Sequence, residues 1–229
     1  MNLSVRLIII PLILATAGFQ FFTIKMSDSP VNPSCPWCID QNQDKADVAF
    51  IPIETSFVRL AAPADPDLLA DILWMRSTYY FGKHVLSDRQ YPFLLCLLDI
   101  ITDLSPEWKE PYLLGAVLLP VEVGLINDGL YLIDKGLGYF SNDWRLWFFK
   151  GYYLWKGIGN TLEGAKAIHR AALLPGAPVF LSKLSATLAD KSDQKQLARQ
   201  FLEESLSSVK TLGDRQKIIE KMKEMHFDE

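Results

Sequence analysis

Small residues recur along this chain at an interval near 34 residues, and that interval restricts the fold more than any other feature of the sequence. One series is Gly82, Gly115, Gly151 and Ala186, with spacings of 33, 36 and 35. A second is Leu94, Gly129, Ala165 and Ala198, with spacings of 35, 36 and 33. The offset from the first series to the second is 12, 14, 14 and 12. Four such units, each with an apolar pattern of helical period and almost no strand signal, predict pairs of antiparallel helices. The small residue of the first helix lets the second pack close, and the other marks the crossing with the next unit. Units of this kind cannot bury their faces alone, so they stack. The expected class is all-α, a helix-turn-helix repeat solenoid over residues 67–211 with four helix pairs. Two units carry a two-residue insertion, one near Pro120 and one at 156–160. Asp65 before Pro66 is a helix start signal. The tail, 212–229, is expected to be a capping helix with Asp214 as its N-cap and Ile218, Ile219, Met222 and Met225 as its apolar stripe.

The residues at these positions resemble the tetratricopeptide repeat family in a divergent form. The first unit carries Phe81-Gly82, Leu94, Leu98, Ile101 and Pro106; the second Leu114-Gly115, Gly129, Ile133 and Gly136, with Ser141 for proline. The third has Trp147, Lys150-Gly151, Ala165, His169, Ala172 and Pro178, and the fourth only Ala186, Ala198, Leu202 and Ser205. The resemblance implies a right-handed superhelix whose concave face is lined by first helices. Carried over position by position, it implies a groove of cations beside aromatics: Arg76, Lys109 and Arg145, then Tyr79, Tyr112 and Phe148, then Lys83 and Tyr152, with Trp155. Arginine and aromatic side chains carry interface energy when desolvated, and such a groove suits an extended partner segment with acidic and apolar residues.

Ahead of the repeats the chain changes character twice. Residues 7–24, LIIIPLILATAGFQFFTI, hold no charge for 18 residues between Arg6 and Lys25. As a helix they span about 27 Å, the thickness of a hydrocarbon core. Residues 1–25 therefore read as a signal anchor, or as a signal peptide cleaved after Ala17. Either exports the rest of the chain, to a periplasmic or other extracytoplasmic side. A second span at 112–126 is rejected because Pro120 and Glu122 interrupt it. Residues 26–66, with six prolines, read as an extended tether. It contains Cys35-Pro36-Trp37-Cys38, which can be a local disulfide, a redox dithiol or half a metal site.

No nucleophile elbow, P-loop, dinucleotide-binding turn or metal-binding histidine motif occurs. His169 reads as a core histidine, His84 and His226 as isolated, and Cys96 as a small buried hydrophobe. A net charge of −4 argues against binding nucleic acid, which needs a basic face. The expectation is a protein that is not an enzyme and holds no cofactor and no metal. It would be a single-pass, membrane-anchored adaptor or assembly factor whose partners are subunits of a membrane or envelope complex. Two alternatives stand beside it: a thiol-disulfide or metal-binding protein using Cys35 and Cys38, and a purely structural subunit.

Overall fold

Pro66 cannot donate a backbone hydrogen bond, and the Asp65 carboxylate accepts one from Leu68 N at 2.9 Å, so the first described helix starts sharply at this pair. The computed structural model describes residues 65–227, and among them the fold is all-α, with no strand. The helices are α1 (Pro66–Val85), α2 (Leu94–Leu104), α3 (Lys109–Leu118), α4 (Ile126–Tyr139), α5 (Trp144–Tyr152), α6 (Thr161–Ala172), α7 (Phe180–Lys191), α8 (Lys195–Ser208) and α9 (Leu212–Glu224). The eight positions of the two small-residue series fall one to each of α1–α8. Consecutive helices pack on one another, and α3 also touches α5, as α7 touches α9.

Two helices do not end as α-helix. α3 runs into a π-helical turn over Leu119–Val123, and α5 into one over Tyr153–Gly157. These are the two units whose offset is 14 instead of 12. A π turn absorbs extra residues without breaking the helix. In the first, Pro120 would collide with the carbonyl four residues earlier in a regular α-helix, and the wider turn relieves it. Both turns close alike: Leu125 N donates to Leu119 O (3.0 Å) and Asn160 N to Leu154 O (2.8 Å). Gly124, at φ +77°, completes the first exit in a conformation that L side chains avoid.

Glycine sits where helices cross most tightly. A Cβ on Gly115 would overlap Leu132 Cδ2 of α4, and one on Gly151 would lie 2.8 Å from Gly164 O of α6. Gly82 departs from this rule. A Cβ there meets nothing within 4 Å, so this member of the first series lies away from any described crossing.

Two hydrophobic clusters result. The first runs from Ala70 to Tyr153 and the second from Ala165 to Ile218, with Trp147 packed against both. In the tail Ile218 is buried and Met222 and Met225 pack on the second cluster. Its N-cap is Thr211 and not Asp214. The Thr211 hydroxyl accepts from Asp214 N (3.2 Å) and donates to Asp214 Oδ2 (2.8 Å). The capping signal is thus the Thr-x-x-Asp pair, with the acid three residues inside.

Polar side chains tie elements one repeat length apart. Lys135 of α4 reaches Asp99 and Asp103 of α2, each at 2.6 Å, and Tyr131 donates to Asp99 at 3.0 Å. Burial alone would pull the Lys135 ammonium down, but the Asp103 and Asp99 carboxylates outweigh it and hold it above the usual lysine range. Lys109 at the start of α3 pairs with Asp143, the N-cap of α5, at 3.0 Å. His169 of α6 bonds Glu204 of α8 at 2.8 Å. The sequence separations are 32 to 36 residues.

Candidate functional site

Aromatic side chains at the end of α5 stand on consecutive turns of one helix face, and the π turn carries the series one step further. Phe148 and Tyr152, four residues apart, have ring centroids 6.1 Å apart; Tyr152 meets Trp155 edge-on at 6.3 Å. Phe180, opening α7, meets Phe148 edge-on at 6.4 Å. The four rings make a continuous patch across two first helices. Its outer members are open to solvent, Tyr152 to 39% and Phe180 to 48%. Lys156 Nζ sits 4.3 Å from the Trp155 ring centroid, within cation–π range.

Beneath the patch the aromatics become core. Phe149 stacks on Tyr153 at 6.3 Å, and Tyr153 is buried, its phenol pushed up to about 12 by burial and then by Tyr152. The Trp155 Cβ lies over Gly164, where any Cβ would come within 2.8 Å of it. The glycine therefore seats the tryptophan and settles the height of the patch over α6.

The remaining groove residues divide among three situations. Tyr112 is wholly buried and is corrected from groove to core. Its ring fills the space left by Gly136, and its hydroxyl donates to Pro106 O (3.2 Å) and, longer, to Thr102 O (3.4 Å). Burial holds this phenol far above the ordinary tyrosine range. The resemblance misplaces Tyr112 because it assigns exposure by position, whereas the adjacent glycine in α4 decides it. Ala116 and Leu119, at the corresponding later positions of the same helix, are buried too.

Lys109 and Arg145 flank Asp143. The Lys109 ammonium lies 3.0 Å from Asp143 and 5.3 Å from the Phe140 ring centroid; Arg145 is half exposed beside Trp144. Burial alone would raise the Asp143 carboxyl, but the Lys109 ammonium and the Arg145 backbone N–H outweigh it and hold it below the usual carboxylate range. A depression of about 270 Å³ lies here, lined by Lys109, Tyr139, Phe140, Ser141, Asn142 and Asp143. Its charged pair is satisfied internally, so Lys109 serves as a strut.

Arg76, Tyr79 and Lys83 stand on α1. Arg76 and Tyr79 are exposed, and among the described residues Tyr79 makes no ring contact. The structure therefore brings together three of the nine groove residues, Phe148, Tyr152 and Trp155, and adds Phe180 and Lys156.

The histidines are better partnered than their scatter along the sequence implies. His84 is not isolated: it bonds Asp88, four residues on, at 2.6 Å. That i,i+4 spacing is itself a sequence signal for the pair. His169 is buried as expected, its ring stacked on Phe201 at 3.9 Å. Burial draws its pKa below the ordinary histidine range, against the Glu204 hydrogen bond. The geometry is that of a neutral ring donating from Nε2 to Glu204, with Nδ1 buried and without a hydrogen-bond partner. Cys96 is half-buried against the first cluster. Among the described residues no group of histidine, cysteine and acidic side chains could hold a metal, and no helix is long and apolar enough to cross a membrane. The anchor at 7–24, the tether up to residue 64, and Cys35 and Cys38 lie outside the described residues, while Pro66, the last tether residue by sequence, already opens α1.

No family model, no curated protein and no solved structure matches this chain.

Proposed function

We propose that the protein is a membrane-anchored, exported adaptor. In this reading its helix pairs stack as a tetratricopeptide-like solenoid and hold a partner segment against first helices. The observation that carries the proposal is the patch of Phe148, Tyr152, Trp155 and Phe180. It spans successive first helices, stays partly open to solvent and has Lys156 beside it. Exposed aromatics of this density on a folded surface mark a contact site. A segment with apolar anchors and a carboxylate fits the chemistry, the rings taking the apolar groups and Lys156 the acid. The stacking is supported by the ties one repeat length apart and by the α3–α5 and α7–α9 contacts. The anchor rests on the uncharged run at 7–24.

The test is affinity capture from detergent-solubilised native membranes with the full-length chain, read by mass spectrometry, beside a Tyr152→Ala, Phe180→Ala variant. A partner held by the first and reduced at least tenfold by the second, with helicity unchanged by circular dichroism, supports the reading. Equal capture by both overturns it.

A further inference from the structure

α1 is apolar on two sides. One face, with Ala70, Leu73 and Tyr80, is buried in the first cluster. The other presents Leu68, Ile72, Met75, Tyr79, Gly82 and, at the C-cap, Leu86 at intervals of four, three, four, three and four residues. These side chains are open to solvent: Leu68 to 57%, Ile72 to 49%, Met75 to 64%, Tyr79 to 74% and Leu86 to 89%. A stripe of alternating three- and four-residue steps is the seam of a two-stranded coiled coil. Ile72, Tyr79 and Leu86 take the a positions; Leu68, Met75 and Gly82 take d. A β-branched a residue beside a leucine at d, as in Ile72 and Leu68, favours two strands over three or four. Gly82, which lies away from any described crossing, sits on this seam and lets a second backbone approach.

The charges choose the occupant and its direction. Asp71 is the g residue before Ile72, and Arg76 is the e residue five positions later; both are exposed. In a parallel homodimer g faces the partner's e five residues on, so Asp71 meets Arg76 twice, once on each side of the two-fold axis. In an antiparallel pair e faces e, and with Leu68 set against Leu86 the Arg76 guanidiniums of the two copies face one another, which repels.

We propose that α1 is a self-association surface on which a second copy of this chain packs in parallel, through the Leu68–Leu86 seam and reciprocal Asp71–Arg76 pairs. The proposal is independent of the adaptor reading, because the seam and the α5–α7 patch share no residue.

The experiment uses the full-length chain in detergent, with protein mass measured by light scattering after gel filtration. The wild type is expected at twice its 25.9 kDa. Ile72→Lys with Met75→Lys, at two exposed positions, is expected at the single-chain mass with unchanged helicity. Asp71→Arg is expected to weaken association at least tenfold, and adding Arg76→Asp to restore it. With Cys35, Cys38 and Cys96 changed to Ser, Leu68→Cys and Leu86→Cys are each expected to form disulfide dimers with themselves. A wild type of single-chain mass overturns the proposal, whether residues 1–64 or a membrane surface then covers the stripe. Cross-linking only between mixed Leu68→Cys and Leu86→Cys chains overturns the parallel direction, as does failure of the charge reversal to restore dimers.

Discussion

The two hydrophobic clusters answer the same repeat interval with different side chains. Among the described residues nineteen are buried in the first, of which only Ala70 and Ala116 are alanine, and the rest are leucine, isoleucine and tyrosine. Of the eleven in the second, five are alanine: Ala165, Ala171, Ala186, Ala189 and Ala198. The first half brings helices together by setting large side chains over glycines, Leu132 on Gly115 and Tyr112 on Gly136. The second half sets alanine-lined faces against each other, with Phe201 stacked on His169 among them. A small residue at the crossing is thus a requirement of spacing, which either chemistry meets. The two differ in how they fail: one by losing volume, the other by gaining it.

That contrast can be broken from each side. The largest effect is expected from Tyr112→Ala, which empties the space over Gly136 and abandons the hydroxyl's carbonyl partners; a loss of about 4 kcal/mol is expected from urea unfolding. Ala186→Leu is expected to cost about 2 kcal/mol by overfilling a fully buried site in the second cluster. A loss there below that of an ordinary surface substitution would show that the second half is loosely packed, and the comparison would fail.

The third expectation is a pH dependence between about pH 6.5 and 5 that starts in the second half. The folded-state pKa of His169 lies below its unfolded value, so the unfolded chain binds the proton more readily. Stability is then full above about 6.5 and falls as pH drops below it. Protonation would place an N–H at Nδ1, where no acceptor stands. The Glu204 carboxyl, lowered by the His169 hydrogen bond and then by Gln200, adds a further loss at lower pH in the same direction. His169→Gln is expected to flatten the unfolding midpoint between about pH 6.5 and 5. A wild-type midpoint that is already flat there contradicts the neutral, buried ring.

The smallest effect has the opposite sign. With the α1 seam opened by Ile72→Lys and Met75→Lys, Gly82→Ala adds a Cβ that meets nothing within 4 Å and is expected to raise the stability of the single chain by about 0.8 kcal/mol through helix propensity. The same change at Gly151 would press on Gly164 O and Ile168 N and destabilise. Two glycines of one sequence series would so be separated by the direction of a thermal shift.

The all-α class was legible because helical periodicity and turn signals are local, and the start of α1 was legible because Asp65-Pro66 acts within one turn. The recurring interval likewise marked one position on each of eight helices, small on seven of them and leucine at Leu94. The offsets of 14 announced extra residues after Gly115 and Gly151, though not that a π turn would house them.

What tertiary structure alone decided was exposure. Tyr112, Phe148 and Tyr79 each stand three residues before a glycine of the first series. One is buried over a glycine of the next helix, one joins an aromatic patch with a residue 32 positions later, and one faces solvent. Burial is set by what the neighbouring element brings to the spot, and no local pattern carries that information. The same reason hid the second face of α1. Leu68, Ile72, Met75 and Tyr79 add apolar character to a helix already amphipathic, and only the packing of α1 on α2 reveals which of its two stripes the described residues cover.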